Sequence, residues 1–254
     1  MNFIKKTQFF FLVVLFSMAC NNCFAQSSVS RFSYEKFIQN GDTLHYRQLF
    51  PDYDTLRKYP LVIFLHGSGE RGNDNEAQLK WGVGNFATDE AMKMHPAIVI
   101  APQCPLNQSW ARFSSNSEGN SPTKPMELVL ALIHEMKKNK LVDTNRIYIT
   151  GLSMGGYGTY DALEREPELF AAAVPVCGGG DVSKASIIAT VPIWIFHGAE
   201  DPAVNPEYDV QMLVALRKAG AHPGFTMYPE TGHFSWIAAY SDPMMMEWLF
   251  RQHK

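Results

Sequence analysis

Gly151-Leu152-Ser153-Met154-Gly155 sets a serine between two glycines, just after the apolar run Arg146–Thr150 and just before a helical segment that begins near Met154. A G-x-S-x-G match is common by chance. At a strand-to-helix turn it has a mechanical meaning, because the tight turn pushes the serine oxygen out at the end of the strand. It also aims the Met154 N–H, at a helix N-terminus, toward developing negative charge. A serine hydroxyl attacks poorly until a base removes its proton. Of the eight histidines, His233 in Glu230-Thr231-Gly232-His233-Phe234 follows the last predicted strand, where the order serine, acid, histidine puts the base. The acid belongs in the turn His197-Gly198-Ala199-Glu200-Asp201-Pro202, with Asp201 the first choice. Glu200 beside it and Asp181 after the preceding strand are the alternatives. A second oxyanion donor is expected from the glycine-rich turn His66-Gly67-Ser68-Gly69, through the Ser68 backbone N–H. That turn lacks the GKS/T signature of a phosphate cradle, which sets nucleotide binding aside. Trp110 and Trp236 are candidates for lining a substrate pocket, and His66 and His197, at strand ends, read as structural.

Such a constellation needs elements to hold it. Phe32 to Phe50 reads as a hairpin about Asn40-Gly41-Asp42, a strong turn signal. Beyond it, apolar runs at Leu61–Leu65, Ala97–Ala101, Arg146–Thr150, Ala171–Val176, Ile193–Phe196 and Gly224–Tyr228 lack polar alternation, as strands covered on both faces do. Helical segments lie between them. Met126, Val129, Leu130, Ile133 and Met136 recur at helical spacing after Pro125. A second helix opens at Asn205-Pro206, with Val210, Leu213 and Val214 as its face and Gly220 after its end. Strands alternating with helices imply a mostly parallel sheet wrapped by helices, with antiparallel strands from the hairpin at one edge. The polar stretch Gln108 to Pro125 reads as a loop.

The chain has 254 residues, 46% hydrophobic and 19% charged, with a net charge of −3. That composition is globular, suits a single domain, and gives no electrostatic reason for a nucleic-acid partner. Lys5 and Lys6 precede an apolar run from Phe9 to Ala19, the order of a secretory signal and too short to span a bilayer. Residues 1–25 are therefore expected to be a signal peptide cleaved after Ala25, leaving 26–254 as one catalytic domain, periplasmic or secreted. A lipid anchor on Cys20 is the rival reading. Cys104 and Cys177 either pair in an oxidising compartment or stay as buried thiols. Outside the export segment, where Cys20 and Cys23 lie, no CxxC or clustered His/Cys spacing suggests a metal site.

Together with Phe64-Leu65-His66-Gly67-Ser68-Gly69-Glu70-Arg71-Gly72, Ala101-Pro102-Gln103-Cys104-Pro105 and Pro175-Val176-Cys177-Gly178-Gly179-Gly180-Asp181, the turns of Ser153, Asp201 and His233 resemble one branch of the α/β-hydrolases. It is the dienelactone-hydrolase-like and feruloyl-esterase-like branch, which is also described as phospholipase/carboxylesterase-like or prolyl-oligopeptidase-like. The resemblance runs from about Phe32 to the C-terminus. It implies an α/β fold with an eight-stranded, mostly parallel sheet, no cofactor, and the triad Ser153, Asp201 and His233. Dienelactone hydrolases use a cysteine nucleophile where this chain has Ser153, so the resemblance points to ester hydrolysis through an acyl-serine intermediate.

The preferred expectation is an exported carboxylesterase acting on a small-molecule or carbohydrate ester, with feruloyl or acetyl esters of polysaccharide suggested by the family. A neutral His233 is required, so activity is expected to fall below about pH 6–6.5. Two other readings stand beside it. One is a serine peptidase of the prolyl-oligopeptidase-like type, for whose usual extra domain the chain has no room. The other is a catalytically silent binding module on the same fold.

Overall fold

The computed structural model describes residues 28–51, 54, 56–112 and 121–254. The expected signal segment, with Cys20, Cys23 and Ala25, lies outside the described residues, as does the middle of the Gln108–Pro125 stretch.

The hairpin forms as its turn residues dictate. Strands β1 (Phe32–Gln39) and β2 (Asp42–Leu49) pair antiparallel with Gln39 opposite Asp42. Asn40 and Gly41 between them take φ of 53° and 89°. Two consecutive positive φ values match the right-handed twist of the flanking strands and suit asparagine and glycine best. Six further strands follow: β3 (Tyr59–Leu65), β4 (Ile98–Pro102), β5 (Val142–Leu152), β6 (Ala172–Val176), β7 (Trp194–Gly198) and β8 (Gly224–Tyr228). The eight strands form one sheet in the order β1-β2-β4-β3-β5-β6-β7-β8. β2 meets β4 antiparallel, and every pairing beyond β4 is parallel.

The central strands are covered on both faces. β3, β4 and β6 are buried at every position, as their unbroken apolar runs require. β8 departs from that reading: all five of its residues are half-buried. It pairs with β7 and stands last in the sheet, so among the described residues no strand covers its outer edge.

Among the described residues the sheet is flanked by helices α1 (Asp89–Met94), α2 (Lys124–Met136), α3 (Met154–Arg165), α4 (Ala185–Ile188), α5 (Glu207–Lys218), α6 (Trp236–Ser241) and α7 (Pro243–Arg251). Alternate residues of one strand enter opposite cores. Leu61, Ile63 and Leu65 pack with α2, α3 and α5, whereas Val62 and Phe64 pack with α6 and α7. Thr123 caps α2 by accepting the Met126 N–H, and Met126, Val129, Leu130, Ile133 and Met136 are all buried, as their spacing predicts. Helix α5 corrects the sequence reading. Its buried side chains are Asp209, Met212 and Leu216, while Val214 is exposed. The carboxylate of Asp209 is bonded inside the protein (below), and that bond turns the helix away from the face that hydropathy alone selects. Cys104 and Cys177 are both free and buried, one in each core. The pairing alternative is not realised, and burial pushes the Cys104 thiol up to about 12. Among the described residues no helix is long and apolar enough to cross a membrane.

Candidate active site

Ser153 sits between the end of β5 and the start of α3 with φ 54° and ψ −115°. A non-glycine residue keeps such a backbone only where its surroundings enforce it. Here the Ser153 N–H donates to the Val176 carbonyl at 2.9 Å, tying the turn to β6. The flanking glycines answer to crowding: a Cβ on Gly155 would overlap the carbonyl of Leu65 on β3, and one on Gly151 would overlap the backbone of Gly155. Gly155→Ala should therefore lower stability by about 3 kcal/mol. In thermal denaturation that appears as a fall in Tm of roughly 10 °C; an unchanged Tm would contradict the close approach.

The three residues expected to act together do meet. His233 Nε2 lies 2.9 Å from Ser153 Oγ, and His233 Nδ1 lies 2.7 Å from Asp201 Oδ2. Asp201 is buried, and its other oxygen accepts the N–H groups of Ala203 (2.8 Å) and Val204 (2.9 Å). Burial acts to raise the carboxyl pKa, but the Val204 N–H, His233 and the Ala203 N–H outweigh it and hold Asp201 below the usual carboxylate range. The alternatives fall away on geometry. Glu200 is exposed, and Asp181 is an exposed cap that accepts from the N–H and hydroxyl of Ser183. Met154 opens α3 and Ser68 opens a short 3-10 turn, Ser68–Glu70, at the end of β3. Both N–H groups therefore come before any carbonyl of their own helical turn could reach them. The two turns adjoin, because Leu65 is paired with Gly151 across β3 and β5.

The motif around Ser68 is held from beneath by residues the sequence offered as separate blocks. His66 Nε2 accepts the Cys104 N–H at 2.9 Å, which leaves Nδ1 to donate to the Gly67 carbonyl at 2.6 Å. Burial drives the His66 pKa down to about 4, so the ring is neutral. Gln103 joins the same assembly, donating to the Glu70 carbonyl and accepting the Asn75 N–H. Trp110 requires a correction. It has no exposed surface, donates from Nε1 to the His66 carbonyl at 3.0 Å, and packs edge-on against the His66 ring. It buttresses the loop and lines no pocket, because the backbone carbonyl at the end of β3 satisfies its indole N–H.

Trp236 is beside the site, its ring edge-on to His233 at 5.1 Å, yet it is buried. The neighbouring rings are Phe234, 4.7 Å from Trp236 and 57% exposed, and the half-buried Trp81. Neither Trp81 nor Phe234 was singled out by motif. Phe234 adjoins His233 in sequence, which was the available signal, whereas Trp81 arrives from a segment far away in the chain. Glu70 was also missed. Its side chain is buried, which raises its carboxyl pKa, and it bonds the Gly67 and Glu70 backbone and the Trp81 side chain. A charged residue in a glycine-rich turn reads as solvated until the fold closes over it.

Cys177 Sγ, Asp201 and His233 offer atoms within 4.8 Å of one another. Asp201 and His233 are already bonded to each other, and burial pushes the Cys177 thiol well up. The hydrogen bonds already made by Asp201 and His233 assign this trio to the Ser153 site.

A solved thermostable esterase superposes on 89% of this chain with a TM-score of 0.85 and 41% identity. The chain has the α/β-hydrolase fold. A model of the prolyl oligopeptidase family matches residues 110–190 of this chain. A bifunctional acetylxylan esterase/xylanase of Neocallimastix patriciarum is 32% identical over 148 residues, 58% of this chain and 20% of that protein. An Aspergillus niger protein named "Probable feruloyl esterase C" is 27% identical over 191 residues, 73% of this chain and 65% of that protein. The chain spans 64% of the thermostable esterase and thus less than two thirds of each of these relatives.

Proposed function

We propose that this α/β-hydrolase is an exported serine carboxylesterase that hydrolyses carboxylic esters through an acyl-serine intermediate. The observation that carries the reading is the continuous chain of hydrogen bonds Ser153–His233–Asp201, at 2.9 and 2.7 Å, with the serine on a positive-φ turn. In the proposed cycle His233 takes the Ser153 proton as Ser153 attacks the ester carbonyl. Asp201 fixes the His233 tautomer and stabilises the imidazolium that forms. The N–H groups of Met154 and Ser68 receive the oxyanion, and loss of one such donor costs about 3–4 kcal/mol of transition-state stabilisation. His233 then protonates the leaving alcohol, and water releases the acid by the same route. Export is supported by the basic, apolar and small-residue order of residues 1–25.

For the substrate we propose feruloyl or acetyl esters of polysaccharide. The names of two relatives support this, and the rings of Trp81 and Phe234 near His233 suit an aromatic group. The match to the prolyl oligopeptidase family keeps a serine peptidase as the second reading. The test compares p-nitrophenyl acetate, methyl ferulate and a peptide p-nitroanilide. Turnover of the esters with little on the anilide supports the esterase. Cleavage of the anilide alone moves the peptidase forward, and inactivity on all three sinks the proposal.

A further inference from the structure

Behind Asp201 lies a second histidine–aspartate pair that the proposed cycle does not use. His197, on β7, is fully buried. Its Nε2 lies 3.1 Å from the Val204 carbonyl oxygen, an atom that only accepts, so Nε2 carries a hydrogen. The same nitrogen lies 3.3 Å from Asp201 Oδ2, the oxygen that faces His233. On the other side of the ring, Nδ1 lies 2.6 Å from Oδ2 of Asp209 on α5. Asp209 is also fully buried. Its Oδ1 accepts the Tyr160 hydroxyl at 2.7 Å, and the Gly178 N–H points at its Oδ2 from 3.4 Å. Both donors use Asp209 as an acceptor, which favours its carboxylate form with the hydrogen of the 2.6 Å contact on Nδ1. With hydrogens on both nitrogens the ring is a cation.

We propose that His197 is a buried imidazolium held between Asp209 and Asp201, a positioning residue that tempers the negative charge Asp201 presents to His233. Burial alone would strip the proton from His197. The hydrogen bond and charge of Asp209, the Val204 carbonyl and the charge of Asp201 outweigh it and raise its pKa above the ordinary histidine value. The other titratable groups around the pair are Tyr157 and Tyr160 on α3 and Cys177 after β6, and burial keeps all three in their neutral forms by raising their pKa values. The two aspartates and His197 are thus the charges that act on His233 from behind. With a neutral residue between them, Asp201 and Asp209 would be two uncompensated carboxylates in one dry site, an unfavourable arrangement. The cation removes that conflict, and it limits how strongly Asp201 favours the charged form of the base in the resting enzyme. The enzyme then stays active to lower pH than an unaccompanied Asp201 would allow.

The inference rests on the serine-esterase reading, and its test separates the two. His197→Gln keeps an N–H donor for Val204 but cannot be charged. In a variant shown to be folded by circular dichroism, the acidic limb of the kcat/KM profile on a soluble ester should move up by about one pH unit. A merely structural His197 would lower the rate or the stability at every pH and leave the limb in place, and an unmoved limb overturns the proposal. Independently of turnover, nitrogen-15 spectra of histidine-labelled wild type should show one histidine, identified by its contacts to Asp209 and Val204, with both ring nitrogens protonated at pH 8. An unprotonated nitrogen on that ring overturns the proposal even if His197→Gln does not fold. A doubly protonated His197 in a protein inactive on every ester would sink the esterase reading and leave the buried cation standing.

Discussion

Replacing Ser153 with alanine is expected to lower kcat for ester hydrolysis by about 10⁴- to 10⁶-fold, the range seen when a nucleophile that works as a unit with its base is removed. The hydroxyl is the one atom group lost. Alanine preserves the chain, the Ser153 N–H bond to Val176 and the helix start at Met154, so the fold and the oxyanion donors should persist. Residual rate above background would come from those donors and from substrate binding. Initial rates on p-nitrophenyl acetate, with circular dichroism and thermal melting on the same sample, make the comparison. A fluorophosphonate probe should label wild type and spare the variant. A variant that kept a tenth of the wild-type rate would place the nucleophile elsewhere.

Asp201→Asn is expected to cost about 10⁴-fold in kcat, and here the geometry says why. In wild type one oxygen of Asp201 accepts the N–H groups of Ala203 and Val204, and the other faces Nδ1 of His233. An asparagine must keep its carbonyl oxygen toward the two backbone donors, which turns its NH₂ toward His233 Nδ1. The imidazole then presents Nδ1 as an acceptor and carries its hydrogen on Nε2, where it points at Ser153 Oγ as a donor and cannot take the serine proton. Stability gives a second readout. The folded-state pKa of Asp201 is depressed, so its ionisation stabilises the protein above the unfolded value of about 3.9 and that contribution is lost as pH falls through the folded value. The Tm difference between wild type and Asp201→Asn should therefore be present at pH 7 and shrink below about pH 4. A variant with full activity at pH 8 would remove Asp201 from the cycle.

Much of the fold was legible because its signals are local. The Asn40-Gly41 turn states its own backbone angles, and the apolar runs of β3, β4 and β6 state that both faces are covered. The positions of Ser153, Asp201 and His233 were legible for a related reason: each lies in the turn just after a strand of a parallel sheet, and a parallel sheet brings such turns to one edge. Choosing Asp201 over Glu200 and Asp181 needed the distances, since all three residue types suit a turn.

What is built from contacts between distant segments was not legible. Trp110 looked like a pocket residue and is a buttress, because the carbonyl it serves belongs to His66, 44 positions away. The face of α5 could not be read from hydropathy, because a buried Asp209 acts as a core residue only when His197 and Tyr160 are there to meet it. Trp81 and the buried Glu70 come together for the same reason. By itself, the sequence determined the α/β order of elements and the three turns that hold the serine, acid and histidine, through turn chemistry and apolar periodicity acting over a few residues. The tertiary structure alone decided which carboxylate faces His233, which rings border the site and which charges stand behind it, because burial turns a polar side chain from a solvated surface group into one that must find its partner.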